Sequence, residues 1–473
     1  MPEKLQFRIS SAIKDVIGRD LITDDFVAIF ELVKNSFDAF SENIIIRLDL
    51  EKGSGGKIYV VDDGKGMSRN DILGKWLFLG FSAKKDGTED ETKRTYAGYK
   101  GVGRFSCDRL GKTLKMQSKT KSDSIIHCLD INWEDFEENS KDEFIEIDVN
   151  YSESKSFSLP LGLLVNNSGV VLEISNLRDE LSWNRDKLLR LKRSLEKLID
   201  PVPDVETSKK IQIECKREKD NDMAAVTKAQ EKENEAITVN GFIENTIFQV
   251  LENKTTVLRA KITRKNKLQV ELIDRGVFIY KTEEDINDSY PQLINSGFYA
   301  ELLFLNASAK VTFARRMGLP SVRYGSLFLI RNGFRVFPIG EEGNDYWGFD
   351  RRKQQGYARY LGSRDLLGFV KVQGGEDKFR EASSRNQGLI RTQAAIELSD
   401  CVKRCIIKFE AYVTDITWKD KLDKDNSVFE RMGLDSNRLR IIQLIEKLSK
   451  SKNIKVLDFN HDLVSILSEK AKE

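Results

Sequence analysis

Glu31, Asn35 and Asp38 in "ELVKNSFDA" recur at i, i+4 and i+7, so a helix carries all three on one face. A carboxylate there can orient and deprotonate a water. An amide oxygen one turn on can ligand Mg²⁺, which takes oxygen donors and keeps several waters. A solvated face of an amphipathic helix has the same pattern, so the spacing alone does not decide. A second set lies in "IYVVDDGKGM", where a strand delivers Asp62, and Gly64 and Gly66 let the backbone turn and approach a ligand closely. A strand-end carboxylate can accept a hydrogen bond from an adenine amino group, worth about 1.5–3 kcal/mol for a charged acceptor. An ordinary Asp-Gly turn uses the same letters.

A third set is "AGYKGVGRFSCDRLGKT", residues 97–113. A Walker P-loop ending at Gly111-Lys112-Thr113 would need glycine at position 106, which is Ser106. Gly98, Gly101 and Gly103 give G-x-x-G-x-G, which is not the dinucleotide fingerprint. What survives is a glycine turn entering a helix at "RFSCDRL", whose free amides suit phosphate, with Lys100 able to add a positive charge.

The elements that must position these residues follow from periodicity. Residues 22–40 read as an amphipathic helix with Phe26, Phe30, Val33 and Phe37 toward a core. "IIIRLDL" and "KIYVVDD" read as strands, and residues 74–100 are polar and lid-like. Further strands are expected at "SIIHCLDI" and "VVLEIS", then a helix at "RDKLLRLKRSLEKLI" stopped by Pro201 and Pro203. These prolines place a boundary near residue 201. A solvated, charged insertion follows near 216–236, then strands at "TVLRAKITRKNKLQVELID", "VFIYK" and "SLFLIRNGFRVFPIG". A helix starts near Thr392, and residues 416–473 read as helical.

Composition narrows the class. The 473 residues are 40% hydrophobic and 32% charged with a formal net charge of +2, which suits a soluble multidomain protein with no global attraction to nucleic acid. Five scattered cysteines fit a reducing compartment. Cys401 and Cys405 lie one helical turn apart, but with only His127 and His461 in the chain no four-ligand metal site is evident. The start has no signal-peptide core and no later run reaches membrane-spanning length, so a cytoplasmic protein without membrane contact is expected.

Taken in order, the Glu/Asn helix, the D-x-G-x-G strand end, the polar lid and the G-x-x-G-x-G turn resemble the GHKL superfamily of DNA gyrase, the ninety-kilodalton heat-shock chaperone, histidine kinases, MutL and MORC proteins. The resemblance extends over residues 8–415 and is nearest to the bacterial chaperone-like, MORC-like and MutL-like ATPases. It implies an α+β protein. Residues 1–200 would form a two-layer α/β sandwich of the Bergerat ATPase type, 201–415 a ribosomal-protein-like α/β transducer, and 416–473 a helical segment. It also implies ATP and Mg²⁺ as cofactors, with Glu31 as general base, Asn35 as the metal ligand and Asp62 as the adenine reader. Asp38, Gly64, Gly66, Met67, Gly98, Lys100, Gly101, Val102 and Gly103 would complete the pocket, and Ser82 and Lys84 in "FLGFSAKK" the edge of the lid.

Two further expectations rest on the resemblance. The family often supports its adenine-binding aspartate with the threonine of a Gly-Thr pair. Gly169-Val170 stands at that place here, and Val170 has no hydroxyl, which leaves a water or another side chain to take that part. "FREASSRNQGLIRTQ" resembles the chaperone's catalytic loop, which makes Arg385 a second catalytic residue and Gln387 a weaker one. The cationic run Arg351, Arg352, Lys353, Arg359 and Arg364 reads as a solvated loop before a nucleic-acid contact.

The implied function is an ATP-hydrolysing, ATP-dependent homodimer whose lid closure drives a conformational change on DNA or on a partner protein of a multi-gene system, antiviral defence among them. A non-hydrolysing ATP-gated scaffold is an alternative. A histidine-kinase-like phosphotransferase is another, but neither histidine sits in a helix ahead of the ATP module.

Overall fold

The computed structural model describes residues 24–50, 55–78, 103–137, 147–160, 167–179, 182–201, 210–231, 236–245, 247–286, 289–356, 359–375, 377–382, 388–414, 436–451 and 453–461, with a few isolated residues besides. The chain forms two compact units, Met1–Asn245 and Thr246–Glu473, of mixed α/β structure.

In the first unit, α1 (Asp25–Asp38) begins where the Asp24 carboxylate accepts the N–H groups of Phe26 and Val27. The helix expected over 22–40 is thus slightly shorter, and of the expected core stripe Phe30 and Val33 are buried. Ile29, Leu32, Val33 and Ser36 are buried, whereas Phe26 and Phe37 are half-buried. The aliphatic residues keep the same helical spacing, and both Ile29 and Val33 lose all contact with solvent, a burial worth roughly 1.5–3 kcal/mol each.

This helix covers one face of a sheet built from β1 (Asn43–Asp49), β2 (Lys57–Asp62), β3 (Gly111–Lys119), β4 (Ile126–Asn132), β5 (Asn150–Ser154), β6 (Gly169–Leu177), β7 (Lys210–Cys215) and β8 (Gly241–Phe242). The strand order is β5-β4-β3-β6-β2-β1-β7-β8, antiparallel throughout except for the parallel pair β1–β7. Alternation assigns the faces. Ile44, Ile46, Ile58, Val60 and Asp62 share the α1 face, while Tyr59, Val61 and Val171 pack on the other under Phe157, Leu159, Leu163 and Val165.

Two more helices join α1, α2 (Ser106–Leu110) and α3 (Arg185–Glu196). Asp25 ties all three, accepting from Arg109 of α2 at 3.2 Å and Lys187 of α3 at 2.5 Å. The expected boundary near residue 201 is not where the first unit ends. Beyond the prolines β7 inserts beside β1, and α4 (Lys219–Glu231) follows. The charged stretch near 216–236 thus contains a helix of this unit that is solvated as expected along most of its length, with Asp222 alone buried. Asp222 is its anchor: it accepts from Arg185 at 2.7 Å, from the Val239 and Asn240 N–H groups at 2.9 and 2.8 Å, and from Asn240 Nδ2 at 2.7 Å.

The second unit contains α5 (Ile247–Glu252), β9 (Thr256–Ile262), β10 (Lys267–Asp274), β11 (Val277–Asp285), β12 (Tyr299–Phe304), α6 (Ala307–Met317), β13 (Leu327–Arg331), β14 (Phe334–Arg335), β15 (Leu366–Val372), α7 (Gln393–Tyr412), α8 (Ser436–Ser449) and β16 (Ile454–Phe459). Its sheet runs β14-β13-β15-β12-β9-β10-β11-β16, with β13 and β15 parallel. Thr392 caps α7 as its sequence predicts, and Leu398, Val402, Cys405 and Phe409 of that helix enter the core with Leu258, Val270 and Leu302. The tail is not wholly helical. After α8, β16 extends the sheet along β11, where Val456 and Ile454 pair with Thr282 and Glu284. In the cationic run, Arg352 pairs with Glu410 at 2.5 Å and Lys353 with Asp365, so these two charges serve the fold.

The five cysteines are free and buried, and among the described residues no group of three His, Cys, Asp or Glu could hold a metal ion. Among the same residues no helix is long and apolar enough to cross a membrane.

Candidate functional site

The Glu31/Asn35 face of α1 meets the end of the glycine turn. A β-carbon placed on Gly103 would stand 3.1 Å from Asn35 Nδ2 and 3.6 Å from Glu31 Oε2, so glycine lets the turn lie this close without shifting the Asn35 amide. Glu31 is half-buried and Asn35 exposed, as suits a carboxylate and an amide that act on a ligand outside the core. Asp38, on the next turn, is buried. Gly103 itself opens a helical turn, Gly103–Phe105, that runs directly into α2.

Asp62 ends β2 one layer in, 5% exposed. The Ser36 hydroxyl, on α1 directly after Asn35, donates to Asp62 Oδ2 at 2.8 Å, and the Gly64 N–H donates to Oδ1 at 2.9 Å. Burial pushes the Asp62 carboxyl above its usual range, while the Gly64 N–H, the Ser36 and Ser41 hydroxyls and the Val170 N–H pull it back toward the charged form. The Ser41 hydroxyl also donates to the Ser36 carbonyl at 2.6 Å, which fixes the end of α1 beside the strand.

The D-x-G-x-G turn is clamped on both sides. Lys65 N–H donates to the Ala39 carbonyl at 2.9 Å, and Met67 N–H to the Ser118 hydroxyl at 2.7 Å. Gly66 adopts a φ of +68°, and a β-carbon there would stand 2.0 Å from the Lys119 carbonyl oxygen. Asp63 accepts from Glu42 N–H at 2.8 Å and Asn43 N–H at 2.9 Å, holding the start of β1 to the same turn.

The structure thus brings Glu31, Asn35 and Gly103 together, and joins Asp62, Gly64, Gly66 and Met67 to the same helix and the neighbouring strand. Ser82, Lys84, Gly98, Lys100, Gly101, Val102, Arg385 and Gln387 lie outside the described residues. Gly111-Lys112-Thr113 belongs to β3: Lys112 pairs with Glu134 at 2.7 Å and Thr113 meets Ser175 at 2.8 Å, so neither holds phosphate. His127 is buried on β4.

Sequence reading missed Ser36, Ser41 and Ser118. The one available signal was Val170, whose missing hydroxyl required a substitute. Cross-strand register shows where to look: Ser118, Val170, Asp62 and Ile44 form one row across four strands, all on the α1 face.

Residues 23–158 match the family model described as histidine kinase-, DNA gyrase B-, and HSP90-like ATPase. The DNA mismatch repair protein MutL of Pseudothermotoga lettingae is 27% identical over 121 residues, 26% of this chain and 21% of that protein. MutL of Clostridium botulinum strain Kyoto is 33% identical over 108 residues, 23% of this chain and 16% of that protein. The matches span no more than 21% of the length of either relative.

Proposed function

Because the chain belongs, through its N-terminal unit, to the GHKL ATPase superfamily, we propose that it binds and hydrolyses ATP and transmits the cycle to a DNA or protein partner. The observation that carries this reading is the seat of Gly103 against Glu31 and Asn35, with Asp62 buried behind the same helix.

In this reading Asp62 accepts a hydrogen bond from the adenine amino group, and the glycine turn of Gly98, Gly101 and Gly103 wraps the phosphates with Lys100 and Val102. Glu31 orients the attacking water and removes its proton. Asn35 offers an amide oxygen of the kind Mg²⁺ prefers, and a bound Mg²⁺ would neutralise charge on the phosphates. Asn35 would share the ion with phosphate oxygens and waters, since Mg²⁺ keeps several waters and takes few protein ligands beside phosphate.

Residues 74–100, with Ser82 and Lys84, form the lid. The second unit acts as transducer, and Arg385 stabilises charge on the transferring phosphoryl group. Two chains dimerise on ATP, and the closed state acts on a partner from a multi-gene system, with antiviral defence as one setting.

A steady-state ATPase assay with parallel nucleotide-binding titrations tests the core of this. Glu31→Ala should bind ATP as the wild type does and turn over about 10²–10⁴-fold more slowly. Equal turnover removes Glu31 as the base. Tight binding without turnover in the wild type would instead identify an ATP-gated scaffold.

A further inference from the structure

The carboxylate at the end of β2 is supported by a different hydroxyl from the one that the strand β6 would offer. We propose that Ser36 is a positioning residue for Asp62, holding it as a hydrogen-bond acceptor for an amino-bearing purine in place of the hydroxyl that Val170 lacks. The inference rests on the nucleotide reading above and deepens it by assigning the source of base selectivity.

Asp62 Oδ1 receives the Gly64 N–H and Oδ2 the Ser36 hydroxyl, the shorter of the two contacts, with the Ser41 hydroxyl and the Val170 N–H also favouring the charged carboxylate. Both contacts are buried, so water does not compete for them. A peptide N–H can only donate, and with the Ser36 hydroxyl donating as well, the ionised carboxylate presents only lone pairs to a ligand. Such a group accepts from an exocyclic amine and repels a ring carbonyl at the same place. Burial already raises the Asp62 carboxyl, and loss of the Ser36 hydroxyl would remove one of the contacts that favour its charged form, moving it further toward the protonated carboxyl, whose O–H donates to a carbonyl-bearing base. Selectivity between the two purine classes therefore depends on Ser36.

The geometry also explains how Ser36 can replace a hydroxyl on β6. Val170 and Asp62 are direct cross-strand partners, so their side chains stand on one face, the face that α1 covers. Asp62 lies between residue 170 beside it and Ser36 above it, and either position can deliver a hydroxyl. Ser36 follows Asn35 directly, so the helix that bears Glu31 and Asn35 also sets the base-reading carboxylate.

The test measures binding of ATP and of inosine triphosphate, which has a carbonyl where ATP has the amine, together with ATP turnover under saturation. Ser36→Ala should weaken ATP binding by about ten- to a hundredfold, bind inosine triphosphate at least as tightly as the wild type does, and lower kcat for ATP much less than ATP affinity. Ser36→Thr should keep the wild-type preference. Val170→Thr in the Ser36→Ala background should recover most of the ATP affinity, and a double variant no tighter than Ser36→Ala would overturn the exchange of one hydroxyl for the other. Val170→Thr alone keeps the Ser36 contact whatever the stability of the other variants. It should change nothing, and a tenfold gain would show that Asp62 lacked a donor, contrary to the proposal. Ser36→Ala with the wild-type ATP preference overturns the proposal while leaving nucleotide binding standing. A wild type that binds neither nucleotide overturns the nucleotide reading and this inference with it.

Discussion

Gly103 and Asn35 lie in contact across the entry to the glycine turn, a β-carbon on Gly103 falling 3.1 Å from Asn35 Nδ2. At that distance the amide has to give way to any side chain. Gly103→Ala should therefore displace Asn35 and lower ATP turnover by roughly 10–100-fold, the scale at which a misplaced catalytic geometry is felt. The melting temperature should remain within a few degrees of wild type, because the clash is with an exposed side chain. Turnover at the wild-type rate would show that Asn35 has no fixed place in the reaction.

Arg385 is expected to act on the phosphoryl group and not on the base. Arg385→Ala should lower turnover by about 10²-fold or more, with a much smaller change in ATP affinity. Comparing kcat with the nucleotide dissociation constant separates the two. A loss confined to affinity would assign the arginine to ground-state binding, and no change in either would return it to the surface.

Asp222 is pushed up by burial, but the Asn240 and Val239 N–H groups, the Asn240 amide and Arg185 outweigh this and hold it below the usual carboxylate range. A carboxylate with a depressed folded pKa stabilises the fold fully above its unfolded value, ~3.9, and loses that contribution as pH falls through its folded pKa. Asp222→Ala should cost about 3 kcal/mol at pH 7, since it leaves Arg185 and two peptide N–H groups with a lost partner. Denaturant unfolding should show the gap to wild type narrowing as pH falls below about 4.

Glu196 has the opposite sign. Burial pushes its carboxyl up to about 7, against the pull of Lys192, Arg193 and Lys197. The folded protein therefore binds this proton more tightly than the unfolded chain, and stability falls as pH rises from ~4.3 toward 7, then levels. Glu196→Gln should match wild type near pH 4 and exceed it at pH 8, by up to roughly 3 kcal/mol in urea unfolding. A constant difference at both pH values would show that Glu196 does not carry this ionisation cost.

Much of the site was legible because local rules govern it. Helical spacing locates Glu31 and Asn35 on α1, alternation delivers Asp62 at the end of β2, and Gly64 and Gly66 announce a tight turn. The run of elements around them follows from periodicities that span a few residues each. Less local features escaped. Phe26, Phe30, Val33 and Phe37 of α1 share one helical period, yet Phe30 and Val33 are buried with Ile29 and Leu32 while Phe26 and Phe37 are half-buried, so the period alone does not set where the buried face is centred. The prolines at 201 and 203 look like a boundary because β7 pairs in parallel with β1, far back in the chain, and such pairing leaves no neighbouring signal. Asp222 looks solvated until Arg185 and Asn240 are brought beside it. The strand β16 is short and charged, and only the free edge of β11 makes it a strand.

The sequence by itself determined the residue types of the site, their order and the local elements that carry them. It also excluded the P-loop at Gly111-Lys112-Thr113, since Ser106 occupies the position that the loop needs as glycine. Tertiary structure alone decided which groups meet: Gly103 against Asn35, Ser118 under Met67, and Ser36 on Asp62. The reason is physical. Spacing along one chain sets the face on which a side chain emerges, but a buried carboxylate takes its donors from whatever the packed sheet and helix bring within about 3 Å of it.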